Sequence, residues 1–320
     1  MNNYVVMITD CDHDSVEIEE KIINNVTNNF KILDCKTEND IIENCREADA
    51  LITQYGKFTR KVLSQLSKCK IIVRYGVGVD SIDLDAATEF NIQVCNVPDY
   101  GLNEVSDQAI ALMMALTRKV TLMSNGVKSG LWKYEISKPI FRLQNQVVGV
   151  IGLGRIGNAF AKKAHGLGLK VIGFDPNHKR LNPPDFIEVV DFDTLIKTSD
   201  VISIHCPLQQ NTDNLISETE FKAMKSTAYI VNTARGGIVN EQALEKALTN
   251  TWIAGAALDV LVREEADVNN PLFKHENFIC TPHMAWYSEQ AFDELKRKVA
   301  EQVVSALKGE KPAYQVNKIN

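Results

Sequence analysis

The sequence has no excess of positive charge: 35 lysines and arginines stand against 41 aspartates and glutamates, a formal net charge of −6. A nucleic-acid partner held through its phosphates is therefore not expected. Seven cysteines are scattered along the chain with no Cys-x-x-Cys pair. That pattern suits reduced thiols in a cytoplasm and argues against a disulfide framework or a zinc site, so no metal is expected. The opening Met1-Asn2-Asn3-Tyr4 lacks a basic region followed by a long apolar run, and no segment is apolar for long enough to span a bilayer. The expectation is a cytoplasmic protein with no leader and no membrane contact. Low-complexity tracts and repeats of roughly 20–50 residues are also missing, which excludes solenoids and arrays. What remains is 320 residues, 45% of them hydrophobic, enough for two domains with separate cores.

The most informative stretch runs from Val147 to Gly157. An apolar strand, Val147 to Ile151, leads straight into Gly152-Leu153-Gly154-Arg155-Ile156-Gly157, and a helical pattern follows from Asn158 to His165. A second apolar strand, Lys170 to Phe174, then ends at Asp175. Strand, Gly-x-Gly-x-x-Gly, helix, strand and acid in that order form a dinucleotide-binding fingerprint. Gly152 permits the tight turn, Gly154 lets the backbone approach a pyrophosphate, and Gly157 lets the helix pack closely. The free N–H groups at the helix start then face phosphate charge. Asp175 stands where a carboxylate accepts hydrogen bonds from an adenosine ribose and repels a 2′-phosphate, so NAD is the expected cofactor rather than NADP.

Short buried strands are also expected at Val5–Ile8, Ala50–Ile52, Ile71–Val73 and Ile92–Cys95, separated by helical or polar stretches. These make residues 1–100 a small doubly wound α/β domain. The spacing of Val105, Ala109, Leu112, Met113 and Leu116 predicts a helix over 104–117 with Asn103 as its cap. Further strands are expected at 201–204, 228–231 and 254–258. Phe292, Leu295, Val299, Val303 and Leu307 share one face of a terminal helix, with Gly309 as its stop. Residues 101–286 then form a Rossmann dinucleotide-binding domain. Residues 287–320 return to the first domain, which is discontinuous and flavodoxin-like, with a cleft between the two.

Ligands of open α/β sheets bind at the carboxyl ends of strands, and three polar groups in the second half stand at such ends. Arg235, in Val231-Asn232-Thr233-Ala234-Arg235-Gly236-Gly237, can present its fork to a carboxylate, with the glycines leaving room for a ligand; a salt-bridged surface arginine fits equally well. His283 follows Pro282 and can exchange a proton with a carbonyl oxygen, and His205 competes for that task on position alone. Glu264 can sit behind a histidine and fix its tautomer, with Glu265 and Asp267 as alternatives; a solvated acidic loop is the commoner fate of such a run. In the first half, backbone N–H groups at Val77 and Gly78 can cradle a carboxylate, and Tyr55 can form a pocket wall; plain turn chemistry explains both as well.

Together these pieces resemble the D-isomer-specific 2-hydroxyacid dehydrogenases over nearly the whole chain. The resemblance rests on Gly76-Val77-Gly78-Val79-Asp80-Ser81-Ile82-Asp83, Val94-Cys95-Asn96-Val97-Pro98, the glycines at 152–157, the Asn-Thr-Ala-Arg-Gly-Gly run and Thr281-Pro282-His283. It implies reversible, NAD-dependent reduction of a 2-oxo acid to a D-2-hydroxy acid. Arg235 would anchor the substrate, His283 would be the general acid/base and Glu264 its partner. The family often has proline after that glutamate, where this chain has Glu265. The resemblance moves His205 to the wall of the cofactor site, with Cys206, Pro207, Thr212, Thr233, Ala234, Asp259 and Ala285 beside Gly152, Gly154, Arg155, Ile156, Gly157, Asp175 and His283. Tyr55, Val77, Gly78, Arg235, His283 and Trp286 would face the substrate, Trp286 favouring an apolar 2-oxo acid. It also implies a homodimer, which the apolar Met113, Met114 and Leu116 of the 104–117 helix would serve. The run from Thr281 to Gln290 is most similar to the branch that holds the C-terminal-binding-protein corepressors and their bacterial dehydrogenase relatives. Phosphoglycerate dehydrogenases are similar over the same length, with Lys57 and Arg60 available for a phosphate. An NAD-responsive binding protein is the non-enzymatic alternative.

Overall fold

A computed structural model describes residues 3–265 and 267–319. In chain order the first elements are β1 (Val6–Asp10), α1 (Glu17–Ile23), β2 (Phe30–Ile32), α2 (Glu38–Cys45), β3 (Ala50–Thr53), α3 (Arg60–Leu63), β4 (Ile71–Arg74), α4 (Leu84–Glu89) and β5 (Gln93–Cys95). Two helices follow, α5 (Leu102–Thr117) and α6 (Val120–Lys128). Then come β6 (Val147–Ile151), α7 (Arg155–Gly166), β7 (Lys170–Phe174), α8 (His178–Leu181), β8 (Ile187–Val189), α9 (Phe192–Thr198) and β9 (Val201–Ile204). The chain continues through α10 (Glu218–Ala223), β10 (Tyr229–Asn232), α11 (Glu241–Thr249), β11 (Gly255–Leu258), β12 (Phe278–Cys280) and α12 (Glu289–Leu307).

The chain divides into two compact units, Met1–Gly101 with Ser288–Asn320, and Leu102–Tyr287. The first carries a five-stranded parallel sheet in the order β2-β1-β3-β4-β5, a flavodoxin-like arrangement. β1 and β3 are buried along their whole length, as strands covered on both faces must be. α12 packs on α1, β3 and β4 through Leu295, Val299, Val303 and Leu307, all buried. Ser288 caps it, its Oγ accepting the Ala291 N–H at 3.0 Å. Gly309, at φ +78°, ends it, with Gly309 and Glu310 N–H donating to the Ala306 and Ser305 carbonyls.

The second unit carries seven parallel strands in the order β8-β7-β6-β9-β10-β11-β12, the Rossmann order extended by one strand. The period of two splits its core. Val148, Val150, Val171, Val201 and Val231 pack with Leu112, Met113, Leu116, Phe160 and Ala164 on one side. Ile151, Ile172, Ile202, Ile204 and Ile230 pack with Phe221, Leu244 and Leu248 on the other.

Two sequence expectations change here. Asn103 lies inside α5 rather than capping it. The first turn winds from Leu102, whose carbonyl accepts the Ser106 hydroxyl at 2.9 Å, and the Asn103 carbonyl accepts Lys163 Nζ at 2.9 Å. The apolar residues of this helix are not spare surface either. Met113 and Leu116 are buried, and Met114 packs against the same core.

Candidate active site

The glycine loop begins where β6 ends. Gly152 has φ +93°, and a Cβ there would lie 2.7 Å from the Cys206 backbone nitrogen. A Cβ on Gly157 would lie 1.9 Å from the Gly152 carbonyl, so only glycine lets α7 approach the loop. Gly154, at the start of α7, has open space where its Cβ would stand, and the helix N-terminus behind it is free to receive an anion. Asp175, one residue past β7, accepts from the Leu153 N–H at 2.9 Å and the Asn177 N–H at 2.8 Å. The carboxylate expected from the sequence to read a ribose thus ties down the glycine loop.

His205 follows β9. Its Nε2 lies 2.8 Å from Ser203 Oγ and its ring tilts against Phe160. Burial pushes its imidazole down to about 3, so it is neutral throughout the physiological range and offers no imidazolium to act as a general acid. Burial likewise pushes the neighbouring Cys206 thiol up to about 11. Thr212 is committed locally: its hydroxyl donates to the Pro207 carbonyl at 2.6 Å and accepts the Gln209 N–H at 2.8 Å. An acid-stability test follows from His205. The unfolded chain binds a proton there below about 6.5 and the folded chain only below about 3, so stability is lost as pH falls through that window. A His205→Asn variant should be spared about 3 kcal/mol of the loss that wild type suffers between roughly pH 7 and 4.5. Urea unfolding at the two pH values checks it; equal losses would contradict the buried, neutral ring.

Arg235 stands just beyond β10. Asn232, fully buried at the strand end, shapes its turn. The Asn232 side chain donates from Nδ2 to the Arg235 carbonyl at 2.8 Å and accepts the Ala234 N–H at 2.9 Å. Thr233 Oγ1, in the same turn, is buried with no hydrogen-bond partner among the described residues. Gly236 does not leave room for a ligand as the sequence suggests. A Cβ there would lie 2.1 Å from the Leu261 backbone, so the glycine admits the chain that leads to Glu264.

His283 is held by Asp259, the buried residue after β11. The Asp259 carbonyl accepts the His283 N–H at 2.8 Å. Its carboxylate accepts the Thr281 hydroxyl and the N–H groups of Met284, at 3.1 Å, and Ala285, at 2.9 Å. Burial raises the Asp259 carboxyl, and these hydrogen bonds oppose the rise. His283 itself has φ +51°, a left-handed backbone unusual for a residue with a Cβ. Its Nδ1 lies 2.8 Å from Glu264 Oε2. Of the acidic residues left open by spacing, Glu264 is the one brought to the imidazole. With Nδ1 facing that carboxylate, Nε2 is the nitrogen left to exchange a proton. Trp286 is half-buried, edge-to-face with Tyr287 at 5.6 Å.

In the first unit, Val77 and Gly78 follow β4, and their N–H groups have no acceptor among the described residues. The Val77 carbonyl accepts Asn96 Nδ2 at 2.6 Å. Tyr55 is exposed, and its hydroxyl donates to Asp12 at 2.9 Å. Asp10 fixes that loop by accepting the Tyr55 and Gly56 N–H groups at 2.6 and 3.2 Å. Asp10 and Asn232 are not apparent as site residues from the sequence. Their one signal is a polar residue at the carboxyl end of a buried strand.

A parallel sheet with a glycine cradle at its switch point, a histidine in a left-handed backbone paired to a carboxylate, and an arginine at another strand end of the same sheet are the parts of a dinucleotide-dependent oxidoreductase. The family description "D-isomer specific 2-hydroxyacid dehydrogenase, NAD binding domain" matches residues 110–285. The chain belongs to the D-isomer-specific 2-hydroxyacid dehydrogenase family, and is an NAD-dependent oxidoreductase acting on the CH–OH group of 2-hydroxy acids. It is 40% identical over 286 residues to a glyoxylate reductase of Thermococcus litoralis, covering 87% of this chain and 86% of that one. It is 37% identical over 319 residues to a D-3-phosphoglycerate dehydrogenase of Methanocaldococcus jannaschii, covering 98% of this chain and 60% of that one. The crystal structure of D-lactate dehydrogenase from Aquifex aeolicus with NAD and lactic acid superposes with TM-score 0.85 at 27% identity, covering 95% and 96% of the two chains.

Proposed function

We propose that the chain interconverts a D-2-hydroxy acid and its 2-oxo acid, with His283 as general acid/base, Glu264 as its partner and Arg235 as the anchor of the substrate. The observation that carries this reading is the 2.8 Å contact between His283 Nδ1 and Glu264 Oε2 on a backbone pinned by Asp259. The residues present fit NAD. Gly152, Gly154 and Gly157 make the pyrophosphate cradle, Asp175 reads the ribose, and Thr233 offers a buried hydroxyl with no other partner among the described residues. Bound NADH supplies the hydride, which is the cofactor's own chemistry. The protein's share is the proton and the orientation. His283 Nε2 gives a proton to the carbonyl oxygen during reduction, and Glu264 stabilises the imidazolium whenever the ring carries both protons. Arg235 and the N–H groups of Val77 and Gly78 bind the substrate carboxylate.

NAD is preferred to NADP because the Asp175 carboxylate repels a 2′-phosphate. Arg155, Ile156, Cys206, Pro207, Thr212, Ala234, Asp259 and Ala285 complete the cofactor's surroundings in this proposal. Trp286 and Tyr55 line the substrate. Contact of about 60–80 Å² with the indole is worth about 1.5–2 kcal/mol, so 2-oxo acids with apolar tails should be the better substrates. Steady-state kinetics with NADH and glyoxylate, pyruvate, 2-oxo-4-methylpentanoate, phenylpyruvate and phosphohydroxypyruvate test the ranking. Trp286→Ala should flatten it by about tenfold or more. An unchanged ranking in the variant would place Trp286 away from the substrate. Phosphohydroxypyruvate as the best substrate would move the assignment to phosphoglycerate oxidation. Against that outcome, Arg60 is already paired with Glu89 at 2.8 Å.

The protein works in the cytoplasm in this proposal, consistent with seven free cysteines and with no helix of the described residues long and apolar enough to cross a membrane. It is also a homodimer. The apolar surface that supports a dimer is not on α5 but in the segment after it, where Trp132 is 87% exposed and Tyr134 68%, with Val120, Leu131 and Phe141 exposed nearby. Light scattering at micromolar concentration should give twice the chain mass of 35.8 kDa. A monomer mass would contradict it.

A further inference from the structure

The first unit buries a polar cluster that the reaction outlined above does not use. Tyr75, the residue after β4, is buried, and its hydroxyl donates to Glu19 Oε1 on α1 at 2.7 Å. Glu19 is itself fully buried, and its Oε2 has no hydrogen-bond partner among the described residues. His13, in the loop after β1, stands edge-to-face against Tyr75, with ring centroids 4.5 Å apart, and against Phe292 of α12 at 4.7 Å. Both His13 nitrogens are buried without a hydrogen-bond partner among the described residues, and Nδ1 lies 3.8 Å from Glu19 Oε1. Lys296 of α12 closes the group, its Nζ donating to the Ser15 carbonyl at 2.7 Å. Burial and the Glu19 carboxylate both raise the Tyr75 phenol well above its ordinary range, so it stays a donor.

A buried carboxylate and imidazole with unmet hydrogen-bonding capacity are costly compared with apolar side chains of the same size. Such a cluster fixes one arrangement of its neighbours where an apolar core tolerates several. The element it fixes is the Tyr75–Gly78 turn. Gly76 has φ +127°, so the chain swings sharply between the anchored tyrosine and the two N–H groups that follow. From the sheet side the turn is held by the Tyr75 N–H to the Thr53 carbonyl at 2.8 Å, the Val97 N–H to the Gly76 carbonyl at 2.9 Å, and Asn96 to the Val77 carbonyl. From the α1 side, the Tyr75 hydroxyl is tied to Glu19.

We propose that Tyr75 and Glu19, with His13 wedged against the tyrosine ring, are positioning residues that set the Val77 and Gly78 N–H groups for the substrate carboxylate. This rests on the reading of that turn as a carboxylate cradle. The test uses the full chain with NADH and its best 2-oxo acid substrate. Tyr75→Phe removes one oxygen and should raise KM for the 2-oxo acid about tenfold, leaving KM for NADH within about twofold. Glu19→Gln keeps an acceptor and should hold KM near wild type, whereas Glu19→Leu should match Tyr75→Phe. Gly78→Val changes the cradle segment itself and should raise the same KM. If Gly78→Val raises KM and Tyr75→Phe does not, the anchor is refuted and the cradle stands. If neither raises it, both readings fall. Parallel rises in both KM values with a lowered melting temperature would mean that the cluster only stabilises the fold, and would also overturn the proposal. Should Tyr75→Phe fail to fold, the contrast between Glu19→Gln and Glu19→Leu decides the matter: a raised KM in the leucine variant alone supports the anchor, and equal KM values refute it.

Discussion

His283→Ala will lower kcat by about 10²–10⁴ and leave NADH binding largely intact, because the lost interaction belongs to proton transfer. The expectation follows from placement. The imidazole faces Glu264 through Nδ1, its backbone is pinned in a left-handed conformation by the Asp259 carbonyl, and Thr281, Met284 and Ala285 on either side are tied to the Asp259 carboxylate. His205, the rival on sequence position, is enclosed beside Ser203 and held neutral by burial. His205→Ala should alter cofactor use instead. The assignment is wrong if His205→Ala abolishes turnover while His283→Ala keeps it. Stopped-flow NADH binding beside steady-state turnover separates the two effects.

Arg235→Ala will lower kcat/KM for the 2-oxo acid by about 10²–10⁴, the value of two charge-assisted hydrogen bonds at ~1.5–3 kcal/mol each. Arg235→Lys will recover only part of this, since an ammonium keeps the charge but not the planar fork. The turn that carries the arginine is shaped by Asn232, and Gly236 brings the Leu261 backbone against it. NADH binding should change little in both variants. A kcat/KM within about threefold of wild type in Arg235→Ala would show that the guanidinium serves the surface and not the substrate.

The parts of this molecule that can be read from sequence are those fixed by local rules. Gly152, Gly154 and Gly157 announce a turn, an approach and a close packing, and each role has a geometric counterpart. Gly309 ends α12 where the apolar period stops. Strands β2 and β8 are three residues each, lie largely outside the core and carry a charged residue at the centre, Lys31 and Glu188, so no apolar run marks them in the sequence. The expected helix cap at Asn103 is absent because the first turn of α5 begins one residue earlier, at Leu102, which places Asn103 inside the helix. The residues proposed for the chemistry can be named because motifs hold them at fixed spacing. Their supports cannot. The side chains of Asp10 and Glu19 reach partners more than 40 residues away, and the choice of Glu264 over Glu265 depends on which way one loop residue faces.

The chain is expected to reduce 2-oxo acids to the D-isomer of the hydroxy acid. Chiral chromatography of the product formed from phenylpyruvate and NADH tests it most directly. The expected product is D-phenyllactate alone, formed with consumption of one NADH per molecule. Formation of the L-isomer or a racemate, or no NADH oxidation with any 2-oxo acid of the panel, would contradict it.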